Sequence, residues 1–194
     1  MTHPSARHRH DVFQSIGHGI IADQVRTHHL KADLLAPLKL SVAELWRYTW
    51  VAQRRLVEEE DATLLHGDCH VGNTYILPNG GAGLLDWQLS IRGCWAHDVT
   101  YLLVTSLSPE ERRTHQRELL EHYLRELEGQ PGVEVLPSFD RAWSLYRRCP
   151  VWGLVIGWLI CPPENYGADI TTANITRLVE ACRDLDSFAA IDET

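Results

Sequence analysis

The sequence predicts an α+β domain that is mostly helical and carries a short β-hairpin. Three observations predict this class. Apolar residues recur at helical spacing before and after residues 62–86, whereas that stretch reads as three short strands. The turn sequence PNGG at Pro78–Gly81 separates two of these strands, as in a tight hairpin. Strands and helices do not alternate along the chain, which argues against a doubly wound sheet.

Length and composition indicate a single globular domain, or at most a small domain divided in two. The chain has 194 residues, of which 44% are hydrophobic and 23% are charged, and this is enough to bury a core. The net charge of −8 argues against a nucleic-acid partner, because phosphate backbones attract basic surfaces. Five cysteines without CxxC spacing, and a polar start without an apolar leader, predict a reduced protein of the cytoplasm.

The first residues are predicted to form a tail, followed by the folded domain. Residues 1–11 are polar and rich in histidine, which predicts a flexible segment, and residues 12–194 form the domain. VFQSI and GHGIIA, from Val12 to Ala22, can be read as a strand and a GxGxxA turn. This is a weak dinucleotide-binding signal, since no second parallel strand with an acidic end follows.

Helices are predicted from capping residues and apolar stripes. Ser41 and Glu44 form a capping box, and Ser108 followed by Pro109 marks another helix start. The apolar run Val151–Cys161 is too short to span a membrane and predicts a buried helix. The helix that follows Ser41 carries a stripe of Val42, Trp46, Thr49, Trp50, Gln53 and Val57. The predicted helices are Ile20–Leu35, Val42–Val57, Trp95–Thr105, Pro109–Leu127, Phe139–Arg148, Val151–Ile160 and Thr172–Leu185.

Polar residues lie at the borders of the three predicted strands ATLLH, TYIL and AGLLD. Asp68 follows the first strand, Asn73 precedes the second, and Asp86 ends the third. The hairpin should return the chain so that Asp86 lies near Asn73. Phosphoryl transfer needs a carboxylate for the attacking hydroxyl and oxygen ligands for Mg²⁺ on the nucleotide phosphates. Asp68 fits the first role, and Asn73 with Asp86 fits the second.

The segment HGDCHVGN, followed thirteen residues after Asn73 by DWQ, resembles the aminoglycoside phosphotransferase and choline kinase-like family. The resemblance implies transfer of the ATP γ-phosphate to a hydroxyl of a small molecule. It implies a catalytic loop at residues 66–73 with His66 and Asp68 as its catalytic residues. It also implies a metal motif at residues 86–88, with Mg²⁺ held by Asn73 and Asp86, and a helical substrate region at residues 95–190.

The resemblance also assigns supporting residues around the loop. Gly93 and Asp98 match a glycine and an aspartate that follow the family's metal motif, and Asp98 is expected to anchor the loop and begin a helix. His66 is expected mainly as a hydrogen bonder to the loop. His70 either fills the loop or lies near the nucleotide phosphates, and Cys69 is expected to pack in the interior.

The resemblance covers only the C-terminal lobe of a two-lobed fold. The family's small N-terminal lobe carries a Gly-rich loop and a strand lysine that grips the phosphates. The two lysines of this chain, Lys31 and Lys39, lie in or beside a predicted helix. We therefore expect the N-terminal lobe to be missing and the chain alone to be weakly active or inactive. A separate N-terminal lobe chain or a homo-oligomer would cover the exposed apolar surface.

Two other functions and several substrates stay open at this point. The chain could be a non-catalytic binding or scaffold remnant of the family. It could also be a metal-dependent hydrolase, because His66, Asp68 and His70 alternate like metal ligands. Aminoglycosides, choline-like amines, sugars, steroid-type alcohols and amino alcohols all suit the scaffold. In the loop PPENYGAD, Glu164 and Asp169 would face a cationic substrate.

Overall fold

The computed structural model describes residues 4–60, 62–133 and 135–193, with residues 4–15 as backbone only. The α-helices are α1 (Pro4–Thr27), α2 (His29–Leu35), α3 (Val42–Glu59), α4 (Ala96–Ser106), α5 (Pro109–Leu127), α6 (Phe139–Arg148), α7 (Pro150–Trp152), α8 (Ala168–Asp184) and α9 (Ser187–Asp192). A π-helical segment, Gly153–Leu159, continues α7. The strands are β1 (Thr63–Leu65), β2 (Thr74–Ile76), β3 (Ala82–Leu84) and β4 (Ile91–Gly93). The mostly helical α+β class predicted from the sequence is confirmed.

The N-terminal region is helical, although its sequence can also be read as a strand followed by a glycine turn. Both glycines of the GHG sequence lie inside α1, so the dinucleotide turn does not form. A Cβ at Gly17 would lie 2.5 Å from the Trp46 ring, and this glycine therefore allows α1 to approach α3 closely. The helix predicted to start at Ile20 begins earlier and is broken at His28. Of the predicted tail, residues 1–3 lie outside the described residues.

The helix starts follow the capping residues read from the sequence. The Ser41 hydroxyl accepts a hydrogen bond from the backbone N–H of Glu44, and the Glu44 carboxylate accepts one from the backbone N–H of Ser41 at 2.7 Å. The same reciprocal pair links Ser108 and Glu111 at the start of α5. Each pair satisfies donors that the first helical turn leaves without partners.

The strands form two separate antiparallel ribbons. In the first, β1 pairs with β4, with Thr63 opposite Gly93. In the second, β2 pairs with β3, with Thr74 opposite Leu84, which is the predicted hairpin. β4 was not predicted, because three residues that include an arginine and a glycine give no strand periodicity. In sequence, β1 precedes the β2–β3 hairpin and β4 follows it. Pairing of β1 with β4 brings both ends of the segment between them onto the helical core.

The core lies between α3, α4, α6, α8 and the π-helical segment. Its fully buried side chains include Leu45, Val104, Tyr146, Leu154, Leu159, Ile175 and Leu178. The predicted buried helix at Val151–Ile160 is therefore in the interior, although most of it is π-helical. Tyr101 of α4 packs on two glycines of this segment, since a Cβ would lie 2.7 Å from its ring at Gly153 and 2.9 Å from its hydroxyl at Gly157. Among the described helices, none combines the length and apolarity needed to span a bilayer.

Lys31 is a buried cation at the end of the π-helical segment. Its ammonium donates to the backbone oxygens of Leu159, at 2.9 Å, and Cys161, and also to the Gln24 side chain. These carbonyls lie at a helix C-terminus, where a positive charge is favourable. Burial lowers the pKa of Lys31 to about 8. Lys31 thus joins α2 to the core and does not lie on a strand.

Candidate active site

The catalytic loop is held at its base by Asp98, in the first turn of α4. One carboxylate oxygen accepts from the backbone N–H of His66 at 2.6 Å, and the other accepts from that of Gly67 at 3.1 Å. Gly67 has a φ of +84°, and a Cβ there would overlap the backbone oxygen of Leu89. Only glycine accommodates this close approach at positive φ. The predicted role of Asp98 as loop anchor and helix start agrees with these contacts.

His66 is buried and links the loop to the residue before Asp86. Its Nε2 lies 2.6 Å from the backbone oxygen of Leu85, and its Nδ1 accepts from the backbone N–H of Asp68 at 3.3 Å. A carbonyl only accepts, so Nε2 is the ring nitrogen that donates in this contact. Both ring nitrogens therefore have partners. His66 acts here as the hydrogen bonder that the resemblance implied.

Asp68 and Asn73 are in direct contact. The Asn73 amide nitrogen donates to the backbone oxygen of Asp68 at 3.0 Å and lies 3.4 Å from a carboxylate oxygen of Asp68. With its nitrogen directed at Asp68, the amide oxygen of Asn73 remains as an acceptor. The Asp68 side chain is about one-third exposed, so its carboxylate can be reached from outside the loop.

Asp86 is held beside this pair through its neighbour Leu85. The backbone N–H of Leu85 donates to the backbone oxygen of Asn73 at 2.7 Å, while its carbonyl binds His66. Asp86 itself has left-handed backbone angles, φ 58° and ψ 62°, which aspartate tolerates better than most residues. Its side chain is exposed, with the Gln88 amide 3.4 Å from one carboxylate oxygen. The hairpin thus places the backbone of Leu85, the residue before Asp86, next to Asn73.

His70 shapes the loop and lies close to Asp68. Its Nδ1 accepts from the backbone N–H of Gly72 at 3.0 Å, which shapes the loop. Its Nε2 lies 3.6 Å from an Asp68 carboxylate oxygen. Whether His70 contacts nucleotide phosphates stays a prediction.

Cys69, next to the predicted base, has the properties of a packing residue. It is buried, and burial, together with the negative charges of Asp98 and Asp68, raises the pKa of its thiol to about 12. A thiol that keeps its proton at neutral pH is a poor nucleophile. Cys69 therefore supports the loop from within the core.

A large apolar cavity lies next to Asp68. Its volume is about 830 Å³, within the range of small-molecule sites. Its apolar walls come from α3, both strands of the β1–β4 ribbon and the π-helical segment. They include Trp50, Leu56, Leu65, Ile91, Trp152 and Ile156. Asp68 lines the same cavity, which brings a carboxylate to the edge of an apolar binding space.

This cavity was not predicted from the sequence. The predicted substrate region was residues 95–190, whereas much of the wall belongs to α3 and to β4. The signal that could have found α3 is Gln53, a polar residue on an otherwise mostly apolar stripe. Glu164 and Asp169 are exposed and are not among the residues that line the cavity. Their positions therefore give no support to a cationic substrate.

The donor set fits Mg²⁺ better than a zinc or di-metal centre. In the described residues, no group of three His, Cys, Asp or Glu side chains is arranged to hold a metal. His66 has both ring nitrogens bonded, which argues against the hydrolase set of His66, Asp68 and His70. Mg²⁺ takes oxygen ligands and usually binds one or two protein groups together with phosphates and water. Asn73 and Asp86 are the two residues that would supply such oxygens if Mg²⁺ bound at the hairpin.

The family match gives the class of protein, a protein-kinase-like small-molecule kinase. Residues 11–131 match the model of the ecdysteroid kinase-like family, and since the match covers more than half of the chain, the chain belongs to that family. Comparisons with curated proteins and with solved structures found no match. The kinase-like class predicted from the motif is confirmed, while the narrower assignment to aminoglycoside phosphotransferases and choline kinases stays a prediction.

Proposed function

We propose that this chain forms the catalytic lobe of a small-molecule kinase that transfers the γ-phosphate of ATP to a hydroxyl of an apolar, steroid-sized alcohol. The observation that carries the proposal is the apolar cavity of about 830 Å³ with Asp68 on its wall. The family name, ecdysteroid kinase-like, supports the same substrate class. Strongly cationic substrates such as aminoglycosides would need acidic walls, which this cavity lacks among its described residues apart from Glu58 and Asp68.

In the proposed reaction, Asp68 orients and deprotonates the attacking hydroxyl. The substrate oxygen forms a bond to the γ-phosphorus, its proton passes to the Asp68 carboxylate, and ADP leaves with the electrons of the broken P–O bond. Asn73 steadies Asp68 through the contacts of its amide nitrogen. The Asn73 amide oxygen and the Asp86 carboxylate would hold Mg²⁺, which when bound neutralises charge on the phosphates. His66 and Asp98 keep the loop in place and do not take part in proton transfer.

Exposed apolar side chains on the two ribbons support a protein interface at this face of the domain. Large apolar side chains on or beside the strands are exposed to solvent, namely Leu64, Val71, Tyr75, Ile76, Leu77, Leu85 and Trp87. Exposed apolar patches of this kind usually mark an interface. The lysines do not reach the site, since Lys31 caps the π-helical segment and Lys39 follows a turn after α2. We propose that a small lobe with a phosphate-binding lysine covers this face, either as a separate chain or from another copy.

Phosphate transfer to a panel of alcohols tests the proposed reaction. The chain would be incubated with Mg-ATP and a steroid alcohol, an aminoglycoside or choline, with and without an added small lobe from a family member. We expect transfer to the steroid alcohol, and a loss of about 100-fold or more in Asp68→Asn, as for removal of a general base. Asp33→Asn, an exposed site on α2, is the matched control.

Steroid binding separates the proposed kinase from a binding module. Both should bind the steroid alcohol, because the cavity belongs to this lobe, and Asp68→Asn should keep most of that affinity. Transfer that survives in Asp68→Asn would overturn the assigned base. Binding without transfer, even with an added small lobe, would favour the non-catalytic alternative.

A further inference from the structure

Among the polar side chains that line the apolar cavity, Gln53 and His97 are uncharged groups that the proposed reaction does not use. Both line the cavity, and they come from different elements, Gln53 from α3 and His97 from the first turn of α4. Neither belongs to the catalytic loop or to the hairpin. Their presence in a wall built mainly of tryptophan, leucine and isoleucine needs a physical reason, since polar groups in apolar surroundings are costly.

The Gln53 amide is left without a partner. Its Nε2 atom is buried and has no hydrogen-bond partner among the residues that the structure describes. A buried donor without a partner is destabilising, so native proteins rarely keep one without a use. Gln53 lies one helical turn after Trp50 and one before Leu56, which also line the cavity. An apolar residue would suit this stripe better if packing were its only task.

His97 is the second of these polar side chains in the cavity wall. Its side chain is 8% exposed, and none of the hydrogen bonds within the described stretches of the chain involves its ring. The ring makes an edge contact with Trp152, with centroids 5.6 Å apart. Burial lowers the pKa of His97, an effect opposed by the charges of Asp98 and Asp68. A neutral imidazole offers one N–H donor and one nitrogen acceptor to whatever occupies the cavity.

We propose that Gln53 and His97 are specificity-determining residues that bind a second oxygen function of the alcohol substrate, a keto or hydroxyl group distinct from the hydroxyl that receives the phosphate. The inference rests on the proposed function, since it assigns a recognition role within the same cavity. Small-molecule sites commonly place a few polar groups in an apolar wall to fix the orientation of the ligand. A site built to hydrogen-bond an oxygen discriminates strongly against the analogue that lacks it, because its own polar groups then stay unpaired.

Equilibrium binding to matched steroids tests the inference. The probes are a saturated steroid with one hydroxyl, and a set of the same skeleton with a second oxygen, as ketone or hydroxyl, at different ring positions. Trp50 and Trp152 line the cavity, so tryptophan fluorescence gives the readout. We expect at least one dioxygenated steroid to bind the wild-type chain about tenfold more tightly than the monoalcohol, the equivalent of one well-made hydrogen bond.

Variants assign the preference to the two residues. In Gln53→Leu and in His97→Phe, the advantage of the dioxygenated steroid should fall to about twofold or less, while the affinity for the monoalcohol stays within about threefold of wild type. Unchanged monoalcohol binding also shows that the variants fold. Gln130→Leu, the same change at an exposed site outside the cavity, should keep the full preference.

The outcomes separate this inference from the proposed function. Equal binding of all steroids to the wild-type chain, no steroid binding, or a preference that survives in both variants would overturn the roles of Gln53 and His97. Transfer that depends on Asp68 but shows no oxygen preference would overturn this inference alone. An oxygen preference that both variants lose, without any Asp68-dependent transfer, would support the recognition role and contradict the kinase proposal.

Discussion

At the scale of single residues, Asp98 carries an unusual share of the loop's hydrogen bonds. Both of its oxygens accept from consecutive backbone N–H groups, those of His66 and Gly67. We expect Asp98→Asn to be nearly as destabilising as Asp98→Ala, because an asparagine offers one acceptor and turns an N–H₂ toward the other donor. The expected loss in free energy of unfolding is about 1–3 kcal/mol for each variant, measured by urea denaturation.

The control for this prediction is Asp33→Asn on the exposed side of α2. A surface change of this type should alter the free energy of unfolding by about 0.5 kcal/mol or less. If Asp98→Asn were as stable as the wild-type chain, the loop could not depend on two carboxylate oxygens.

His66 supports a second prediction at this scale. His66→Phe keeps a ring but leaves the Leu85 carbonyl and the Asp68 N–H without their present partners. We expect faster amide hydrogen exchange in residues 66–73 and 82–89, with α5 and α8 unchanged. Exchange reports local opening, so it distinguishes a hydrogen-bonding role from a chemical one. Unchanged exchange in both segments would contradict the role assigned to His66.

The candidate site residues were read from the sequence because each follows or precedes a predicted strand. Asp68, Asn73 and Asp86 stand out by their spacing around a recognisable hairpin turn, and their roles stay predictions. The positions of Gln53 and His97 in the cavity wall were not predicted, since they depend on how α3 and α4 meet around the cavity. Local periodicity does not carry that information.

At the scale of elements, the π-helical segment depends on glycine where Tyr101 crosses it. A Cβ at Gly157 would lie 2.9 Å from the Tyr101 hydroxyl, which accepts a hydrogen bond from the Trp158 indole at 3.1 Å. We expect Gly157→Ala to lower the free energy of unfolding by about 1–3 kcal/mol through overpacking. Thermal denaturation of the variant gives the measurement.

Gly19→Ala is the matched control within a helix. Nothing lies within 4 Å of a Cβ at Gly19, so this change should stabilise α1 by about 0.5–1 kcal/mol through the better helix propensity of alanine. The two substitutions are chemically identical and are expected to shift the melting temperature in opposite directions. Shifts of the same sign would mean that Tyr101 moves aside easily.

The predicted helices agree with the structure where local sequence signals were strong. The capping serines fixed the starts of α3 and α5, and the helix at Phe139–Arg148 agrees with the prediction. The π-helical geometry was not predicted, because the apolar run at Val151–Cys161 indicates a buried helix without fixing its hydrogen-bond pattern. β4 also escaped prediction, since its three residues become a strand only through pairing with β1.

At the scale of the whole molecule, buried thiols control the response to alkaline pH. Burial raises the pKa of Cys94 to about 11 and that of Cys182 to about 12. Between about pH 9 and 11 the unfolded chain therefore loses thiol protons that the folded chain retains. Since the folded state then binds more protons, the free energy of unfolding falls as pH rises.

We expect each buried thiol to contribute a decrease of about 1.4 kcal/mol per pH unit in that window. Lys31 acts in the opposite direction, because its pKa is lowered in the folded state and the unfolded state therefore binds the extra proton above about pH 8. The combined effect of several thiols on the free energy of unfolding outweighs that of one amine. Urea denaturation at pH 8 to 10.5 in the presence of reductant gives the slope. Cys94→Ala should show a shallower decline, and an unchanged slope would contradict the contribution of this thiol.

The hairpin tip offers a place for a spectroscopic label. Pro78 and Asn79 occupy a turn closed by a bond from the backbone N–H of Gly80 to the Leu77 oxygen, and Pro78 is exposed. Because four of the five native cysteines are buried, a cysteine introduced by Pro78→Cys should react with maleimides far faster than the native thiols. A fluorophore at this position would lie next to β3, the strand that leads to Asp86. A change in its emission would then signal the binding of a nucleotide or of a second lobe.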